Sequence, residues 1–225
     1  MDYEVEVLEN KKYIEQVEDK SLIYLGIKRL FDIICSLLGC ILLLPITLFV
    51  KLSYLLHKDF NSIFYNQERI GLNGKTFKLY KFRTMVPNAD EELKQLLKNP
   101  EYRKEWNTNQ KLNNDPRITK AGKFLRKTSL DELPQMFNIL LGDMSLIGPR
   151  PLVKNELVSH KGNAYIYESV KPGVTGWWAC NGRSATTYDK RLKLEYYYVL
   201  NASFLLDINC ILRTIKIVLN RSGAK

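Results

Sequence analysis

Apolar positions along this chain are concentrated in one block and elsewhere recur at helical or strand spacing. From Ile33 to Val50 the sequence reads IICSLLGCILLLPITLFV, a run without a charge. A straight helix of that length reaches roughly 27 Å, the lower limit for crossing a bilayer. Pro45 interrupts the run; it removes one helical hydrogen bond and crowds the preceding turn, which predicts a kink. Both flanks are basic, with Lys28 and Arg29 before the run and Lys51 and Lys58 after it. The positive-inside tendency then puts both ends on the cytoplasmic side. A helix-break-helix that dips into one leaflet and returns satisfies both facts, provided protein or local hydrogen bonds satisfy the backbone at the break. An ordinary kinked span and a buried helix of a soluble core stay open on the residues alone.

After the block the pattern shortens. Ser62–Tyr65 and Thr76–Phe82 read as strands around a turn at residues 71–74. Residues 88–107 predict one charged amphipathic helix with Leu93, Leu96 and Leu97 on one side. Residues 122–141 predict a helix in two pieces, punctuated by Ser129 and Pro134. Residues 142–151 and 171–183 read as loops, and residues 189–200 and 207–219 as two closing helices. The pattern predicts a mostly helical α/β fold in three parts: an acidic leader (1–21), the membrane element (22–58) and one compact unit (59–225).

Charge and composition narrow the classes. The 225 residues carry 34 Lys+Arg against 24 Asp+Glu, a net charge of +10, which calls for an anionic partner. The leader, with Asp2, Glu4, Glu6, Glu9, Glu15, Glu18 and Asp19, is unlike a cleaved signal peptide. Two histidines, His57 and His160, leave little for a His-based metal site or a Ser-His-Asp triad. Cys35, Cys40, Cys180 and Cys210 lack C-x-x-C spacing and read as reduced packing residues. No phosphate-binding P-loop, dinucleotide fingerprint or RNP-like strand is present, which speaks against NTPase and nucleic-acid-binding functions.

Four stretches can carry chemistry. Ser129-Leu130-Asp131-Glu132 puts adjacent carboxylates at an expected helix start. There Ser129 and Glu132 fit a capping box, while Asp131 can serve as nucleophile for phosphoryl transfer or as a Mg²⁺ ligand. Gly148-Pro149-Arg150-Pro151 sets an arginine between prolines, suited to gripping phosphate oxygens or merely to a rigid turn. Lys81-Phe82-Arg83 ends a strand with two cations, suited to a second phosphate or a headgroup. Residues 171–183 join Trp177 and Trp178 to Arg183, a loop able to stack a nucleobase, although core tryptophans are commoner.

Taken in order, these motifs resemble the bacterial sugar transferase family, the monotopic polyprenyl-phosphate phosphoglycosyl transferases. The matching series runs Lys28-Arg29-Leu30-Phe31-Asp32, the proline-broken apolar helix, Gln67-Glu68-Arg69-Ile70-Gly71, residues 81–85, Asp115-Pro116-Arg117-Ile118-Thr119, residues 129–135, residues 142–151 and residues 172–177. The resemblance implies a re-entrant helix on the cytoplasmic face of the bacterial inner membrane and a Mg²⁺-dependent covalent mechanism. Asp131 would attack the β-phosphate of a UDP-sugar, releasing UMP. Undecaprenyl phosphate would then take the phosphosugar from Asp131, giving undecaprenyl-diphosphate-sugar, the first lipid intermediate of a surface glycan. On this resemblance Asp131 is nucleophile and metal neighbour and Glu132 its dyad partner. Pro149 and Arg150 hold phosphate, with Lys81, Arg83 and Arg183 as further substrate contacts. The partners implied are a UDP-sugar, undecaprenyl phosphate and membrane lipids, without nucleic acid; a homodimer is compatible with it.

The segment 88–114 and Tyr188-Asp189-Lys190-Arg191 look more like members that transfer hexose phosphates, galactose-1-phosphate among them. Ala179 departs from the pattern where Gln often stands, and Glu195 where Asp is usual. With 27 residues before Lys28, the chain looks like a minimal catalytic unit. The competing expectation is a non-catalytic basic membrane protein that binds lipid phosphates.

Overall fold

The computed structural model describes residues 21–109, 112–160, 163–182 and 186–219. All of the expected leader except Ser21, together with Arg183, lies outside them. Helix α1 (Leu22–Leu56) is the largest element. At 1.5 Å per residue it is about 52 Å long. Its most apolar window has a mean hydropathy of 2.7, long and apolar enough to cross a membrane. One narrow stripe is buried, made of Asp32, Ser36, Gly39, Leu43, Val50 and Tyr54 at helical spacing. The other faces stay apolar and exposed, among them Leu30, Leu38, Ile41, Leu44, Leu48 and Leu52. A core helix of a soluble protein hides such residues, so the soluble-core alternative falls away.

Two expectations about this element are corrected. The helix is continuous across Pro45 rather than a helix-break-helix. Proline's fixed φ is itself helical, so its ring costs one hydrogen bond, to the Ile41 carbonyl, while the turns on either side keep theirs. The leading basic pair, expected to flank the membrane, is instead drawn into the fold. Lys28 pairs with Asp207 (2.8 Å) and donates to the Tyr198 hydroxyl (3.1 Å). Arg29 donates to the carbonyls of Ile139 (2.6 Å) and Leu140 (2.9 Å), closing the end of a later helix.

Strands β1 (Phe64–Ile70) and β2 (Thr76–Phe82) form an antiparallel hairpin, with Phe64 opposite Phe82 and Ile70 opposite Thr76. Asn73 and Gly74 hold positive φ in the connecting 3-10 turn (56° and 72°). The single helix expected over 88–107 is two: α2 (Ala89–Leu96) and α3 (Pro100–Asn109). Pro100 has no amide to continue α2 but suits a first helical position, and Asn99 Oδ1 accepts the Glu101 amide (2.8 Å). Next come α4 (Lys120–Thr128), a 3-10 turn (Leu130–Glu132) and α5 (Gln135–Leu141).

Both stretches expected as loops contain a short strand. β3 (Ser145–Ile147) pairs in parallel with β4 (Gly173–Thr175). After a 3-10 segment (Lys154–His160) and α6 (Ala164–Glu168), the chain closes on α7 (Tyr188–Asn201) and α8 (Phe204–Leu219).

Two buried polar side chains tie these parts together where hydrophobic packing alone would leave register open. Asn138 of α5 donates to the Lys78 carbonyl (2.7 Å) and accepts the Tyr80 amide (3.0 Å), serving β2 as a substitute strand. Asp32 of α1 accepts from Ser145 Oγ (3.1 Å) and from the Leu146 amide (2.8 Å). Removing a buried acceptor strands both donors, so Asp32→Ala is expected to destabilise the fold by about 3 kcal/mol in denaturant unfolding in detergent micelles. A change under about 0.5 kcal/mol would mean that water replaces the carboxylate there.

Candidate active site

Glycine-lined backbone and charged side chains meet at a cavity of about 240 Å³. Its walls come from β1 and β2 (Arg69, Leu79, Lys81), from the turn before α5 (Ser129, Glu132, Leu133, Gln135), from residues 148–151, and from Trp177 and Trp178. Lys81, Glu132, Pro149 and Arg150 are thus brought together from three separated stretches. Asp131 is not among the lining residues; it lies beside Glu132 on the same 3-10 turn, half-buried.

That turn is built differently from the helix start expected. Ser129 takes the left-handed conformation (φ 56°), ending α4, and its side chain caps nothing. The capping box therefore does not form, and Glu132 is left to pair with Lys81 (Oε1–Nζ 2.8 Å). Asp131 feels burial first and its neighbour Glu132 second, and both push its pKa up; Lys81 and Arg126 oppose them. Raised above its unfolded value, this pKa favours the protonated form in the fold, so the ionised carboxylate costs stability at neutral pH. Asp131→Asn is therefore expected to raise the thermal unfolding midpoint at pH 7 in the presence of chelator. The gain should shrink as pH falls through the carboxylate range and vanish by about pH 3, where the carboxyl is neutral in both states. A gain that persists unchanged to pH 3 would assign it to packing instead.

Arg150 projects from a turn fixed on all sides by backbone. The Gly148 amide donates to the Thr175 carbonyl (2.9 Å) and the Gly173 amide to the Pro149 carbonyl (2.8 Å). Arg150 is exposed and lines the cavity. Arg69 stands nearby, its pKa lowered by burial and then by Arg150, two cations held close in a partly dry wall. Such a concentration of positive charge around a carboxylate turn suits phosphate groups.

Arg83, the other cation of the β2 end, is used structurally. Its guanidinium donates to the carbonyls of Ser62 (2.6 Å) and Met85 (2.9 Å) and to Asp59 (2.9 Å), and lies 4.6 Å from the Tyr54 ring centre. It does not line the cavity, and the expectation of a phosphate contact there is withdrawn. The tryptophans do line it, but each ring already carries a cation: Arg213 lies 5.0 Å from Trp177 and Arg191 4.8 Å from Trp178.

Sequence reading passed over Arg126 and gave no role to Arg69, named only within a matching motif, or to Glu195, named only as a departure from the pattern. Arg126 sits in a lysine-rich helix that looks like a solvated face, yet it donates to Thr84 (3.0 Å) and bears on Asp131. Arg69 lies inside the Gln67–Gly71 stretch, where nothing local separates an inward strand arginine from an exposed one. Among the described residues no cluster of three or more His, Cys, Asp or Glu could cage a metal. Mg²⁺ needs no such cage, because one or two carboxylates with substrate phosphates suffice. The adjacent carboxyl oxygens of Asp131 and Glu132 are donors of the kind that ion takes, and a bound cation would relieve the burial and the Glu132 charge that push the Asp131 pKa up.

A long apolar helix packed beside a cavity of carboxylates and arginines suits a membrane-associated protein that handles phosphates, and comparison gives it a family. The bacterial sugar transferase family profile matches residues 23–221, and the chain belongs to that family. It is 48% identical over 199 residues to undecaprenyl-phosphate galactose phosphotransferase of Salmonella typhimurium strain LT2, covering 88% of this chain and 41% of that protein. It is 44% identical over 199 residues to UDP-galactose-lipid carrier transferase of Erwinia amylovora, with 88% and 41% covered. Over 198 residues it is 44% identical to the exopolysaccharide production protein ExoY of Sinorhizobium fredii strain NGR234, with 88% and 87% covered. The chain thus spans about four tenths of the length of the first two relatives and most of the third.

Proposed function

We propose that the protein transfers a sugar-1-phosphate from a UDP-sugar to undecaprenyl phosphate, releasing UMP, at the cytoplasmic face of the inner membrane. The observation that carries this reading is the convergence of Glu132, Lys81 and Arg150 at one cavity, with Asp131 beside Glu132 on the same turn, in a fold attached to α1. A carboxylate oxygen of Asp131 attacks the β-phosphorus of the donor. The bond to the bridging oxygen breaks, and UMP leaves with that oxygen. A phosphate oxygen of undecaprenyl phosphate then attacks the same phosphorus and displaces Asp131, which returns as a free carboxylate. Inverting one phosphorus twice through a covalent carboxylate splits one difficult transfer into two easier ones.

Each chain residue has a definable part. Arg150, and Arg69 behind it, hold the donor's non-transferred phosphate and offset charge that builds as UMP departs. Lys81 holds Glu132 in place beside Asp131. Asp131 and Glu132 would hold Mg²⁺, which when bound lowers the repulsion between phosphate and carboxylate. Exposed apolar faces of α1 keep the protein at the bilayer, so only the lipid's phosphate must reach the site. On this reading the attachment is monotopic, with both basic flanks of α1 on the cytoplasmic side.

The names of the relatives favour a hexose, galactose first, as the transferred sugar. The test is a panel of UDP-sugars with undecaprenyl phosphate and Mg²⁺, read as UMP release. UDP-galactose is expected to turn over fastest. Absence of UMP from every donor would reject the reading.

A further inference from the structure

Behind the cavity runs a ladder of buried and half-buried charges whose upper end grips the turn bearing Arg150. Glu195, on α7 and 1% exposed, accepts the Arg150 amide (Oε1, 3.2 Å) and Arg191 Nε (3.2 Å) on the same oxygen. Arg191 continues to Glu156 (3.4 Å), and Glu156 to Arg69 (3.7 Å). Three of the buried side-chain atoms without a partner among the described residues belong to this ladder: Arg69 Nε, Arg191 Nη2 and Glu195 Oε2. A buried carboxylate with one idle oxygen is costly to keep, and hydrophobic residues of similar size would serve packing better.

The neighbouring prolines show what it does. Pro149 fixes its own φ, and Pro151 confines Arg150 to extended conformations. The soft motion left is rotation of the peptide between Pro149 and Arg150, and that peptide's N–H is the group Glu195 holds. On the other side, the Tyr167 hydroxyl donates to the Arg150 carbonyl (2.9 Å). We propose that Glu195 is a positioning residue: by holding the Arg150 amide it sets where the guanidinium enters the cavity to meet a phosphate. This rests on the reading of Arg150 as the donor-phosphate group.

Glu195→Gln keeps the length and the accepting oxygen but loses the charge. Glu195→Asp keeps the charge but draws the oxygen back by one methylene. The two variants therefore separate a hydrogen bond to the amide from charge compensation of Arg191. The measurement is calorimetric titration of the full chain in detergent with inorganic pyrophosphate. Arg150→Ala is expected to weaken binding about tenfold, E195D about fivefold, and E195Q by less than twofold. E195D should add nothing in the Arg150→Ala background, because a residue that acts only through another is silent once that other is gone. The reverse order, equal behaviour of E195Q and E195D, or an effect that survives in the Arg150→Ala background overturns the assignment. So does a wild type that ignores pyrophosphate. UMP release is read on the same preparations. The expected binding pattern without UMP from any donor rejects the transferase reading while leaving Glu195 in this role.

Discussion

Asp131→Asn is expected to reduce UMP release by about 10³-fold or more, because the amide cannot form the covalent intermediate and nothing else on the turn replaces it. Membrane association should be unchanged, since the contacts of α1 do not involve Asp131. Glu132→Gln should fall less far, because it removes the partner of Lys81 rather than the attacking group. The contrast between two adjacent carboxylates is the informative result. Wild-type turnover in Asp131→Asn would end the nucleophile assignment and favour a protein that only binds lipid phosphates. A control by intact-mass measurement adds chemistry to kinetics. With donor and no acceptor, the wild type should gain the mass of a phosphosugar and Asp131→Asn should not.

The second large effect comes from glycine rather than from a charged residue. A Cβ on Gly148 would lie 2.5 Å from the Lys171 carbonyl oxygen, one on Gly173 2.1 Å from the Gly148 nitrogen, and one on Gly176 2.0 Å from the Gly148 oxygen. All three obstacles are backbone, so no side chain can swing aside. Alanine at any of these positions must push β3 and β4 apart. We expect a loss of about 3 kcal/mol in unfolding free energy. Because Gly148 is two residues from Arg150, turnover should fall at least about 10²-fold even where the variant remains folded, as expected for a misplacement near 1 Å. A Gly176→Ala protein with normal midpoint and turnover would show that this backbone crossing is looser than described.

Much of this was readable in the residues, unevenly. The second strand and the turn of the hairpin were legible, from Phe77 and Leu79 alternating with polar residues and from Asn73-Gly74; the first strand, expected at Ser62–Tyr65, runs Phe64–Ile70, where residues 66–69 carry no alternation. The membrane element was legible too, as an uncharged run. Contacts at long sequence distance were not. Lys28 and Arg29 look like ordinary membrane flanks; only the fold brings Asp207 and the carbonyls of α5 to them. The pairing of β3 with β4 was hidden because strands of three residues carry no periodicity, and they are separated by two intervening elements. Ser129 and Glu132 satisfied a helix-start pattern, yet the left-handed Ser129 and the reach of Lys81 outweighed it. For the site, motif order pointed to Asp131, Glu132, Lys81 and Arg150. It could not show that Arg83 spends its three donor positions on the fold, or that Glu195 stands under Arg150.

The stripe of α1 that includes Asp32, Gly39 and Tyr54 has one more consequence. Gly39 lets Met136 of α5 press directly on the helix backbone: a Cβ there would stand 2.5 Å from Met136 Cγ. Tyr54 donates to the Arg83 carbonyl, and Asp32 holds β3. The apolar helix is therefore part of the same solid body as the cavity, with no tether between them. On the proposed reading, the altitude of Asp131 above the lipid is set once, at folding, and cannot be retuned by lengthening a linker. Adaptation to a thicker or thinner bilayer would have to come from the length and bend of α1 itself.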